Sequence, residues 1–206
     1  MKESRALACA VRNSRVITFI SPYGQCPSCK SIIHDPQHKL VRIAEPCPNC
    51  GATNECRRMW PGLIAHHWVE AVNSMELQKD DDHNMLAVML CAMSEVMIED
   101  LLAQILFHQG GNPKHNEILL DSHWGHNRQI QLFNKLCGQS LKASLNTLGL
   151  VSFYDSWEEI TKSRNKFVHG TPPGSLFKEF PKKVDLLTVR MQMLEAFCKL
   201  HNAWAV

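Results

Sequence analysis
The chain has 206 residues, 45% of them hydrophobic, and a net charge of only +2, which suits one moderate domain with a real core plus a small module. Arg5, Arg12 and Arg15 break up the start before any apolar core of signal-peptide length, and no run approaches the about 18 apolar residues of a membrane span. A cytoplasmic protein without membrane association is expected, and its nine cysteines then point to metal ligands and buried thiols instead of a disulfide framework. The charge is uneven: residues 1–60 hold nine Lys or Arg against four Asp or Glu, and residues 61–206 hold thirteen against sixteen. The front is the part expected to face a polyanion.

In chain order, Val16 to Ile20 is a short β-branched and aromatic run that suits a strand, and Lys39 to Ala44 suits a second. Cys26-Pro-Ser-Cys29 and Cys47-Pro-Asn-Cys50 are C-x2-C pairs with 17 residues between them. Each pair offers two thiolates from one tight turn, the spacing of a tetrahedral structural zinc site with one ion per chain. Gly51 lets the second turn bend so that amides face sulfur. His34 and His38 lie in the intervening loop, but four cysteines already fill a closed site, and Cys56 is a spare. The pattern resembles the zinc ribbon family, whose members bind nucleic acid or protein surfaces; such a zinc does no chemistry. Arg42, Arg57 and Arg58 are candidate phosphate contacts, with scattered solubilising arginines as the plainer alternative.

Past residue 58 the pattern turns helical, dividing the chain into a ribbon over 1–58 and a helical domain over 59–206. Pro61 suits the first turn of a helix carrying Ile64, Trp68 and Met75. Asp80-Asp81-Asp82 favours a helix start, and His83 to Phe107 is apolar almost all round, the mark of a central buried helix. Glu95, Glu99 and Asp100 are its exceptions. Lys114 to His126 is polar and rich in histidine; His115, His123 and His126 lack paired spacing on a helix, so a surface loop is expected. Shorter helices follow near Arg128–Leu136 and Gln139–Leu148, then Ser152 to His169 and Lys182 to Ala203. Cys91, Cys137 and Cys198 read as small buried hydrophobes.

The helix from Ser152 puts Phe153, Trp157, Ile160, Arg164 and Val168 on one face. Arg164 therefore falls inside an apolar stripe, where an unpaired charge costs several kcal/mol, and Glu95 or Glu99 is the expected partner. Gly170, Pro172 and Pro173 stop the helix, leaving His169 at its last turn. Residues five apart differ by about 140° on an ideal helix, so Arg164 and His169 share a site only if the end unwinds or two chains contribute.

Arg164-Asn165-Lys166-Phe167-Val168-His169 resembles the Arg-x4-6-His motif of the HEPN family (higher eukaryotes and prokaryotes nucleotide-binding), with its polar residue directly after the arginine. The resemblance spans about residues 61–206. It implies a mostly α fold, an antiparallel HEPN-like bundle behind the small β zinc ribbon, and a homodimer with a composite active site. It also implies metal-independent endoribonuclease activity, with no catalytic metal and with Arg164, Asn165 and His169 as catalytic residues. Where a variant of the family paired with nucleotidyltransferase antitoxins has Tyr two positions after the histidine, this chain has Thr171.

The chemistry also follows from the residues. RNA carries its own nucleophile in the 2′-hydroxyl, His169 can exchange protons near neutrality, and the fork of Arg164 matches two phosphate oxygens. Expected products are 2′,3′-cyclic phosphate and 5′-hydroxyl ends, from single-stranded or looped RNA held by ribbon arginines and Lys166. A toxin or antiviral defence effector with an inhibitory partner is one setting. The alternatives are a non-catalytic nucleotide- or nucleic-acid-binding dimerisation adaptor, and a ribbon that binds DNA with the bundle as its dimeriser.

Overall fold
Two turns of the same build shape the front of the chain, which in a computed structural model is described over residues 21–36, 45–53, 58–77, 80–168 and 181–206. Three short strands, β1 (Tyr23–Gln25), β2 (Ile32–His34) and β3 (Arg58–Trp60), form an antiparallel sheet in the order β2-β1-β3. Tyr23 pairs with His34 on one side and Trp60 on the other, so three rings meet across it, at 5.0 Å and 5.7 Å. Ser21 Oγ donates to the Trp60 carbonyl at 2.7 Å, tying the start of β1 to the end of β3. Pro61 has no N–H with which to continue a ladder. It lies buried between β3 and the first helix, not in that helix's first turn as expected. The strands expected at 16–20 and 39–44 lie outside the described residues.

The chain divides into two units, Met1–Leu63 and Ile64–Val206. From Leu63 onward the described elements are helices: α1 (Leu63–Ser74), α2 (Asp80–His108), α3 (Pro113–Ser122), α4 (His126–Cys137), α5 (Leu141–Thr147), α6 (Val151–Val168) and α7 (Lys183–Trp204). The protein is mostly helical, with a small antiparallel sheet near its start. No described helix is long and apolar enough to cross a membrane.

Helices α2, α6 and α7 pack on one another, with α3 and α4 against α2 and α5 against α6. Their directions follow from cross-helix bonds. Trp157 Nε1 donates to Ser94 Oγ at 3.0 Å, and Thr161 Oγ1 lies 3.7 Å from Cys91 Sγ, so α6 runs antiparallel to α2. Ser156 meets Asp185 and Ser152 meets Gln192, so α7 runs antiparallel to α6. Phe153, Trp157 and Phe197 are fully buried together, with ring centroids 5.5 Å and 5.9 Å from Trp157. Each such side chain contributes about 1.5–3 kcal/mol by leaving water. The expected central helix is α2, buried through Leu86, Leu90, Met93, Met97 and Leu101, although Met85 and Phe107 near its ends are exposed.

One expectation fails here. Most of the stretch expected as a polar loop is helix α3, which has no buried residue. Asn112 Oδ1 accepts from the Lys114 amide at 3.0 Å and Pro113 takes the first turn, so the residues that end α2 also start the next helix. His126 is likewise the first residue of α4 and not part of a loop.

Candidate functional site
Two arrangements of polar and ligating groups stand out, one in each unit. In the first, Cys26, Cys29, Cys47 and Cys50 place their four sulfurs within 4.8 Å of one another. Cys26 and Cys50 are 3.8 Å apart, as are Cys29 and Cys47. Four thiolates about 2.3 Å from a tetrahedral zinc would have edges of about 3.8 Å, so the donor set and its spacing are compatible with zinc.

The backbone explains how two separate turns reach this geometry. The Cys26 carbonyl accepts from the Lys30 amide at 2.9 Å, and the Cys47 carbonyl from the Gly51 amide at 2.8 Å. The amides of Cys26 and Cys47 in turn donate to the carbonyls of Ser31 and Ala52. Lys30 and Gly51 occupy the same place in the two turns, at φ 64° and 70°. Glycine adopts this left-handed conformation freely, whereas Lys30 is held there with its Nζ donating to the Pro27 carbonyl at 2.8 Å. His34 is exposed against Tyr23, and His38 lies outside the described residues.

In the helical unit the arrangement centres on Arg164. Its side chain is 19% exposed, and Nη2 donates to Oε1 of Glu95, itself 28% exposed. Of the two acids considered as partners, Glu95 makes the pair, while Glu99 faces solvent. The Cys91 thiol, one turn before Glu95, meets both Thr161 and Arg164, and burial pushes its pKa up. Below it the bonds run on: Thr161 Oγ1 donates to the Trp157 carbonyl, Trp157 Nε1 to Ser94 Oγ, and Ser94 Oγ to the Cys91 carbonyl. This ladder pins α6 against α2 at the depth where the guanidinium emerges.

Helix α4 brings two further residues to the same place. Gln129 is buried and its Nε2 donates to the Glu95 carbonyl at 3.3 Å. Gln129 Oε1 and Arg164 Nε are buried without a hydrogen-bond partner. His126, three residues earlier and so on the same helix face, sets its ring edge-on to Trp157 at 4.9 Å. Burial, and then the Arg164 charge, lower its pKa to about 4, so the imidazole is neutral at pH 7. Sequence reasoning missed it by reading His126 as loop. The signal was present in Gly125, at φ 98° before the helix, and in the stripe His126, Gln129, Leu132, Phe133.

The remaining candidates are not gathered at this point. Asn165 and Lys166 are exposed on α6, and Arg58 lies in β3. His169, Arg42 and Arg57 lie outside the described residues. Among the described residues no second group of ligating side chains gathers as the four cysteines do, so His115, His123 and Asp121 form no such cluster. Compared with family models, curated proteins and solved structures, the chain matches none.

Proposed function
We propose that the helical unit is a metal-independent endoribonuclease of HEPN type acting as a homodimer, and that the four cysteines hold one structural zinc. The observation that carries the reading is Arg164: a guanidinium four-fifths buried, oriented by Glu95, followed in sequence by Asn165 and, five residues on, by His169. A cation fixed in this way needs no reorganisation when charge builds on a phosphate, which is how preorganised groups lower a barrier. Glu95 engages one nitrogen and sets the plane of the fork; Asn165, exposed beside it, orients without titrating.

Attack by the 2′-hydroxyl on the adjacent phosphorus forms the 2′,3′-cyclic phosphate and breaks the bond to the 5′-oxygen. His169 supplies the proton exchange that this step requires. Zinc, when bound, supplies cohesion to the ribbon and no step of the reaction. Ribbon arginines and Lys166 would hold single-stranded RNA, and a toxin or defence role with an inhibitory partner accommodates such an activity.

The test is incubation of the purified full-length protein with mixed RNAs in magnesium-free buffer. Cleavage leaving 2′,3′-cyclic phosphate ends is expected, and its loss in both Arg164→Ala and His169→Ala. A second reading, a non-catalytic nucleic-acid-binding adaptor, is favoured by one observation: Glu95 already neutralises part of the Arg164 charge. That reading gives RNA binding, no cleavage, and indifference to His169→Ala.

A further inference from the structure
The two cysteine turns make the same backbone hydrogen bonds, yet they do not present their sulfurs alike. Cys26 and Cys47 are buried, Cys29 is half-buried, and Cys50 alone of the four is exposed. Its turn is open to water throughout: Pro48, Asn49, Cys50 and Gly51 are all exposed, whereas of the matching residues in the first turn only Ser28 is. The neighbours differ as well. Ser31 Oγ lies 3.4 Å from Cys29 Sγ, and Lys30 folds back over its turn onto the Pro27 carbonyl; the equivalent places beside Cys50 hold Ala52 and Gly51. A hydroxyl donating to a thiolate draws off electron density that would otherwise attack an electrophile, and oxidation of thiolates follows their exposure. Behind Cys50 a second sulfur, that of Cys26, stands 3.8 Å away, which suits a two-electron oxidant because a resolving thiolate is at hand. We infer that Cys50 is a modification site of this centre, the thiolate through which a hydroperoxide oxidises the cluster to a Cys26–Cys50 disulfide. The inference rests on the zinc reading of the four cysteines and is independent of the ribonuclease reading.

In the first step the Cys50 thiolate attacks one oxygen of hydrogen peroxide. The S–O bond forms, the O–O bond breaks and hydroxide leaves, so that Cys50 carries a sulfenic acid. Cys26 Sγ then attacks the Cys50 sulfur; the S–S bond forms, the S–O bond breaks and a second hydroxide leaves. The two thiolates give up a pair of electrons, and the peroxide takes it. Cys29 and Cys47, 3.8 Å apart, remain as thiolates, too few to hold a tetrahedral ion. Cys26 and Cys47 pack with Ile33 inside the N-terminal unit, so a reaction begun at its surface sulfur opens its interior.

The experiment loads the full-length protein with zinc, checks for one ion per chain by elemental analysis, and follows zinc release into a chromophoric chelator after hydrogen peroxide is added. Dimedone labelling and non-reducing peptide mapping identify the sulfurs. Cys50→His and Cys29→His each keep four donors, and Ala52→Ser places beside Cys50 the hydroxyl that Ser31 brings to Cys29. Wild type and Cys29→His are expected to release zinc at like rates, with dimedone on Cys50 and, in wild type without dimedone, a Cys26–Cys50 disulfide. Release is expected to be at least about tenfold slower from Cys50→His and roughly threefold slower from Ala52→Ser. If Cys50→His loses zinc as fast as wild type, if Cys29→His is slowed as much as Cys50→His, if dimedone marks another cysteine first, or if the disulfide is not Cys26–Cys50, the inference fails and the zinc reading stands. Should Cys50→His take up no zinc, Ala52→Ser decides, and release as fast as wild type overturns the inference. If wild type itself holds no stoichiometric zinc, both fall.

Discussion

A guanidinium placed among apolar side chains is stable only while something answers its charge, and in this protein Glu95 does. Glu95→Gln keeps the shape and removes the charge, leaving Arg164 short of a counterion. We expect a loss of about 1–3 kcal/mol, read as a lower urea midpoint for the helical unit. His126 gives the pH dependence its sign. Its folded pKa, about 4, lies below the ordinary value of 6.5, so between the two the unfolded chain binds more protons and stability rises with pH. Acidification from pH 7 to 5 is therefore expected to destabilise the protein, with at most about 3 kcal/mol lost from this residue by pH 4. His126→Phe should flatten that part of a midpoint-against-pH curve. That Arg164 needs an acid of α2 was legible in the sequence, with Glu95 and Glu99 both open, because a cation in one apolar stripe and an acid in another demand each other. The approach of His126 was not, because nothing local says which helix α4 will lie against.

At the scale of elements, the two cysteine turns share their hydrogen bonds and differ in one residue, Lys30 against Gly51. Gly51 has nothing within 4 Å of where a Cβ would stand, so the cost of Gly51→Ala comes from the left-handed backbone alone. About 1–2 kcal/mol is expected, measured as a lower urea midpoint for the N-terminal unit with zinc added. Helix α5 begins at Ser140, whose Oγ accepts from the Ala143 amide at 3.1 Å. Ser140→Ala should cost about 1 kcal/mol, read as a lower urea midpoint for the helical unit. Helix identity was readable wherever apolar residues recurred every three or four positions, as in α2, α6 and α7. It failed at α3, whose apolar residues Ile118, Leu119 and Leu120 stand side by side instead of recurring every three or four positions, and which is held by its cap and its contact with α2. Strand β3, Arg58–Trp60, was likewise not legible, because it depends on pairing with Tyr23 to Gln25, far away in the sequence.

On the scale of the whole molecule, each unit encloses its own stabilising interior: cysteine sulfurs and Ile33 in one, the α2, α6 and α7 aromatics and aliphatics in the other. Stripping metal with a strong chelator is therefore expected to unfold the N-terminal unit while the helical far-ultraviolet signal persists, whereas Trp157→Ala, costing about 3–5 kcal/mol, should abolish that signal's cooperative melting first. The sequence alone determined the two C-x2-C pairs, the helical character of the long segments and the need of Arg164 for an acid, because spacing, periodicity and unpaired charge are local or one-dimensional properties. Tertiary structure decided that Glu95 and not Glu99 answers Arg164, that Gln129 bonds to the Glu95 backbone, and that His126 packs on Trp157. Those choices depend on which faces of α2, α4 and α6 meet, and burying Trp157, Phe153 and Phe197 together is what selects the faces.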